Sequence, residues 1–119
     1  MKRTAIAKSR GTDAAPRLSK ARLAEMIEEA TLDAYGESEQ ATGWFTMLER
    51  HLALPFETAV LGAAVSVVSI ELRDGAQIVA ICTRGRDRQA ISLTDLPLPA
   101  RRPTGGDWIQ AYRHWLGRR

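Results

Sequence analysis

Disulfide chemistry is excluded at the outset: Cys82 is the single cysteine among 119 residues, and one thiol has no intramolecular partner. Histidine is almost as scarce. His51 and His114 stand alone, and no Cys/His spacing of a zinc site is present. Long apolar runs are missing as well. The longest, Ile78 to Cys82, covers 5 residues, whereas a membrane-spanning helix needs about 20. No apolar stretch follows the basic N-terminus, so no secretory signal is expected and a cytoplasmic location is. Catalytic signatures are lacking too. No Ser/His/Asp set, paired Cys/His set or glycine-rich phosphate loop occurs at a telling spacing, and no enzymatic activity is expected. What is present suits a globular protein. Apolar residues make up 45% of the chain and charged residues 26%, which argues against disorder or a fibrous class. The length fits one small domain.

The net charge of +3 conceals a strong segregation. Residues 1–22 carry seven bases and only Asp13, a net +6. Residues 101–119 carry five bases and Asp107, a net +4. Between them, residues 23–57 carry eight acids against Arg50 alone, a net −7, while residues 58–100 balance four acids with four bases. The basic pI therefore belongs to the two ends, and the body contains a concentrated acidic region.

Residues 1–18 read as a flexible basic arm, and residues 19–119 as the folded domain. From Ser19, a good N-cap, the apolar residues Leu23, Met26, Ile27, Ala30 and Ala34 fall on one helical stripe, which Tyr35-Gly36 should end. A second helix should begin at Glu37, carry Ala41, Trp44, Phe45, Leu48 and Leu52 inward, and stop before Pro55. The period then drops to two. Strands are expected over 56–61, 63–73, 78–82 and 89–93. In the long second strand the apolar parity switches at Val67–Val68, which requires a bulge or sharp bend. Asp74-Gly75 signals a two-residue hairpin, and Arg84-Gly85-Arg86-Asp87 makes the next turn. The last helix should start from Asp107 as N-cap and bury Trp108, Ile109, Tyr112, Trp115 and Leu116. The expected class is α+β: an N-terminal helical pair, a small bent antiparallel sheet of the SH3-like partial-barrel kind, and a short C-terminal helix.

The segment Asp33-Ala-Tyr-Gly-Glu37-Ser-Glu39 is the strongest candidate for chemistry. It places three carboxylates across a helix end and a helix start, beside helical carbonyls that have no intrahelical donor. Carboxylates with carbonyls are the donors of a hard cation such as Ca²⁺, which takes six to eight oxygens. Glu28, Glu29 and Glu57 could add charge or ligands. The same spacing also suits a solvated acidic helix face. It is not an EF-hand: counting from Asp33, the twelfth position is Trp44 and the sixth is not glycine. Arg84, Arg86 and Arg88 alternate around a turn and could hold phosphate, although no interleaved aromatic offers a base-stacking platform.

Several ordered motifs carry a family resemblance. Asp33-Ala-Tyr-Gly-Glu-Ser-Glu-Gln40, Leu52-Ala-Leu-Pro-Phe-Glu-Thr58, Gln77-Ile-Val-Ala-Ile-Cys82, Arg84-Gly-Arg-Asp-Arg-Gln89, Asp95-Leu-Pro-Leu-Pro99 and Trp108-Ile-Gln-Ala-Tyr-Arg113 are the residues concerned. Together, over roughly 24–116, they resemble the small prokaryotic calcium-binding proteins related to the cyanobacterial calcium-binding regulator of heterocyst differentiation. The resemblance implies non-EF-hand binding of Ca²⁺ through an acidic surface, in a cytoplasmic protein that buffers or senses the ion. The matched acidic positions are Asp33, Glu37, Glu39 and Glu57. The alternative is a binding module for nucleic acid or an acidic protein, using the basic ends and Arg84, Arg86 and Arg88, with calcium binding weakened or lost.

Overall fold

The computed structural model describes residues 17–117. The basic arm expected over 1–18 lies, except for Arg17 and Leu18, outside the described residues. The element order is α1 (Lys20–Ala30), α2 (Glu37–His51), β1 (Phe56–Val60), β2 (Ala63–Arg73), β3 (Gln77–Arg84), β4 (Asp87–Ser92) and α3 (Gly106–Gly117). The fold class is α+β, as expected. No helix among the described residues is long and apolar enough to cross a membrane.

Helix α1 starts as its sequence suggests, with Ser19 Oγ accepting from the Arg22 N–H at 3.0 Å. It ends earlier than the apolar stripe implies. The Thr31 N–H and hydroxyl both donate to the Ile27 carbonyl, at 3.0 and 2.7 Å, and close the last turn. Asp33 then adopts a left-handed φ of 59°, a conformation that aspartate tolerates better than most residues. Thr31–Gly36 is therefore a loop, and Ala34 leaves the helical stripe. Helix α2 follows its expected course. Ala41, Trp44, Met47 and Leu48 are buried, and Phe45 is half-buried. Gly43 sits where the two helices meet. A Cβ there would lie 1.9 Å from the Ala30 carbonyl oxygen, so the approach requires glycine.

The four strands form an antiparallel meander in the order β1-β2-β3-β4. The register between β2 and β3 shifts between Val67 and Ser69. This is the bulge that the parity switch requires, and it keeps Val67 and Ile70 both buried. Ile78 to Cys82 is buried throughout, as a central strand covered on both faces should be. Strand β4 begins two residues earlier than expected, at Asp87, because Gly85-Arg86 alone makes the turn. Asp74 and Gly75 both have positive φ, as does the unanticipated pair Leu61-Gly62 between β1 and β2; Arg73 pairs with Gln77, so the β2–β3 connection is Asp74-Gly75-Ala76, one residue longer than the expected two-residue hairpin. Positive φ at both central residues is the type I′ requirement. Edge strands β1 and β4 stay unpaired with each other, yet Val60, Gln89 and Ile91 line one concave pocket. The sheet is thus bent toward a barrel but left open.

Helix α2 covers β2 and β3, and α3 packs on both N-terminal helices. Trp44 is fully buried at their centre, with ring centroids 6.1 Å from Trp108, 5.8 Å from Tyr112 and 5.6 Å from Trp115. Helix α3 begins at Gly106, so Asp107 lies in its first turn and is not the N-cap. Gly105, at φ 81°, lets the chain pass the end of α2: a Cβ there would lie 2.0 Å from the His51 carbonyl oxygen. The half-buried Arg113 ties α3 to the loop after β4. Its guanidinium donates to the Leu93 carbonyl at 2.9 and 2.8 Å and also to that of Leu96. Burial lowers the Arg113 pKa, and the nearby Asp95 charge offsets this in part.

Candidate metal site

The α1–α2 loop presents the acidic segment at the surface. Asp33, Glu37 and Glu39 are all exposed. Glu39, the third residue of α2, reaches back: its Oε1 accepts from the Tyr35 N–H at 2.9 Å. Gly36, the N-cap, has no side chain to do this, so Glu39 takes over part of the capping. Glu37 and Glu39 both lie in the first turn of α2, where the helix dipole favours negative charge. Local helix chemistry therefore accounts for part of this acidity.

The loop brings Asp33, Glu37 and Glu39 to one end of the helical pair, but they do not form a closed cage. Among the described residues, no three His, Cys, Asp or Glu side chains are gathered to hold a metal ion. Glu57 is set apart. It is exposed on β1, opposite Ser66, between the buried Phe56 and Thr58, so it points away from the core. No Cα of β1 lies within 8 Å of one in α1 or α2. The oxygen donors of the loop match a hard cation in kind.

Two exposed apolar side chains flank these acids: Leu32 is 69% and Tyr35 86% exposed. Neither is singled out by the sequence, because the helical stripe reads straight through this stretch. Arg84, Arg86 and Arg88 are exposed at the β3–β4 turn, as expected, and have no ion pair among the described residues. Cys82 is buried, and burial raises its thiol pKa.

A family model described as "Calcium binding", named for CcbP, matches residues 24–116. Two solved structures share the fold. The crystal structure of Anabaena CcbP aligns with a TM-score of 0.68 at 20% identity, covering 87% of this chain and 94% of that one. A second, "Calcium binding protein in the calcium-binding form", aligns with a TM-score of 0.64 at 19% identity, covering 81% of this chain and 90% of that one. Comparison with curated proteins gives no significant match. The family model spans most of α1, all of α2, the whole sheet and nearly all of α3, and the chain belongs to the CcbP calcium-binding family.

Proposed function

We propose that this protein binds Ca²⁺ at the α1–α2 loop and acts as a cytoplasmic buffer or sensor of the ion, not as an enzyme. The observation that carries the reading is the family match over residues 24–116, which includes the acidic segment Asp33 to Glu39. Asp33, Glu37 and Glu39 would supply carboxylate oxygens, and the loop's carbonyls would complete the shell. Ca²⁺ contributes only charge here: it relieves the repulsion of neighbouring carboxylates. Glu39 already spends Oε1 on the Tyr35 N–H. It can serve an ion through Oε2, or by giving up that bond, which would loosen the start of α2. The second route is a way for occupancy to be read out as a change in the loop. Because exposed side chains must be ordered on binding, the affinity belongs to the sensor-to-weak range, about 10⁻⁶ to 10⁻⁴ M. Glu57, exposed on β1, is not included in the proposed set.

The test is a calorimetric comparison of wild type with a Glu37→Gln/Glu39→Gln double variant. Both proteins should fold, since both positions are exposed. The variant should lose at least tenfold in Ca²⁺ affinity, about 1.4 kcal/mol. A variant that binds as tightly as wild type would rule out this loop as the site.

A further inference from the structure

Four large apolar side chains are exposed among the described residues: Leu32, Tyr35, Leu61 and Val68. Three of them occur at two places of opposite charge. Leu32 and Tyr35 flank Asp33 in the acidic α1–α2 loop. Leu61 stands at the tip of the β1–β2 hairpin, on the rim of a concave pocket of about 300 Å³. The β3–β4 turn, with its arginines, closes the same end of the sheet. The floor is apolar and includes Val65, Cys82 and Ile91, while Arg84, Asp87 and Arg88 line the edge and leave it a net charge of +1. Among the described residues, no helix Cα lies within 8 Å of one in β1 or β4, and the pocket opens at this end of the concave face.

Leu61 is an unusual occupant of its turn. It has a left-handed φ of 52° and is 102% exposed, with Gly62 following. Asparagine or glycine would hold this turn with less strain. A strained, solvated leucine beside an apolar pocket is better explained by a partner than by the monomer's own packing.

We propose that the pocket receives the α1–α2 loop of a second copy of this chain. Leu32 and Tyr35 of one copy would fill the apolar floor beside Leu61 of the other, and Asp33 would meet Arg84 and Arg88. The loop and the pocket match in two independent respects, apolar anchors to apolar floor and carboxylate to unpaired guanidinium. The pocket lies at the small end of the ligand-site range, so it has room for one or two side chains. The surfaces are different, so the contact is head-to-tail and each dimer keeps one free loop and one free pocket. Calcium is not required for it.

The test is sedimentation velocity of the full chain in EDTA at low ionic strength over a wide concentration range. Wild type should show a concentration-dependent rise in average mass that high salt removes. Two variants should each stay monomeric: Arg84→Glu/Arg88→Glu, which spoils the pocket, and Leu32→Ser/Asp33→Asn, which spoils the loop and keeps a residue suited to positive φ. An equimolar mixture of the two leaves one intact loop and one intact pocket. It should form a 1:1 dimer and nothing larger. Leu61→Asn suits the turn and should weaken association without loss of thermal stability. Wild type that remains monomeric throughout overturns the proposal and would leave the pocket to a small amphipathic acid. Variants that associate as wild type does, or a mixture that stays monomeric, overturn it equally.

Discussion

Gly43 is the residue on which the helical pair turns. Its missing Cβ admits the Ala30 carbonyl, and 1.9 Å of clearance is far too little for any side chain. Gly43→Ala gains up to about 1 kcal/mol of helix propensity, yet it must push two backbones apart. The expected net loss is about 2 kcal/mol in urea denaturation, even though alanine is the better helix former. Arg113 is the other residue of this kind. Replacement by Met keeps the packing of the stem but leaves the Leu93 and Leu96 carbonyls without their donor. A loss of about 2 kcal/mol is expected by the same measurement. Cys82 gives a pH-dependent prediction. Burial raises its pKa, so the native thiol holds its proton when the unfolded thiol, near about pH 8.5, has released one. The unfolded state then binds fewer protons, and stability falls as pH rises through this range. Cys82→Ala should flatten that slope, and native Cys82 should react with a thiol reagent far more slowly than the unfolded chain does.

At the scale of elements, periodicity made most of the fold legible. Ile78 to Cys82 reads as a strand covered on both faces, and the parity switch at Val67–Val68 reads as a bulge; both are present. Where the reading failed, a single backbone angle or hydrogen bond decided the outcome. The apolar stripe of α1 runs on to Ala34, but Thr31 and the left-handed Asp33 end the helix at Ala30. Periodicity carries no information about such a stop. Asp107 failed as an N-cap because Gly105, pressed against the end of α2, lets the helix start two residues sooner, at Gly106. The Leu61-Gly62 turn was hidden because its first residue is not one that favours positive φ. Leu61→Asn should therefore raise stability by about 0.5–1 kcal/mol, seen as a higher melting temperature.

For the molecule as a whole, the acidic region was legible from charge segregation alone: Asp33 lies in the α1–α2 loop, and Glu37 and Glu39 lie in the first turn of α2 that follows it. Glu57 lies on β1, no Cα of which comes within 8 Å of one in α2, and strand spacing fixes its outward face without fixing its distance from Glu37 and Glu39. The loop's apolar flank, Leu32 and Tyr35, was illegible for the reason that hid the end of α1. The net −7 of residues 23–57 is local, and charges further from it than about 10 Å are largely screened at ordinary ionic strength. Removing the described Arg22–Glu25 ion pair should matter little, because at 3.4 Å it is exposed on both sides.

The most direct test of the central claim is calorimetric titration of the demetallated full chain with CaCl₂ at near-physiological KCl, with Mg²⁺ present. Saturable heat is expected, with a dissociation constant of about 10⁻⁶ to 10⁻⁴ M that Mg²⁺ does not abolish. Absence of heat up to millimolar calcium would contradict it, and would mean that this chain keeps the family's fold without its ion.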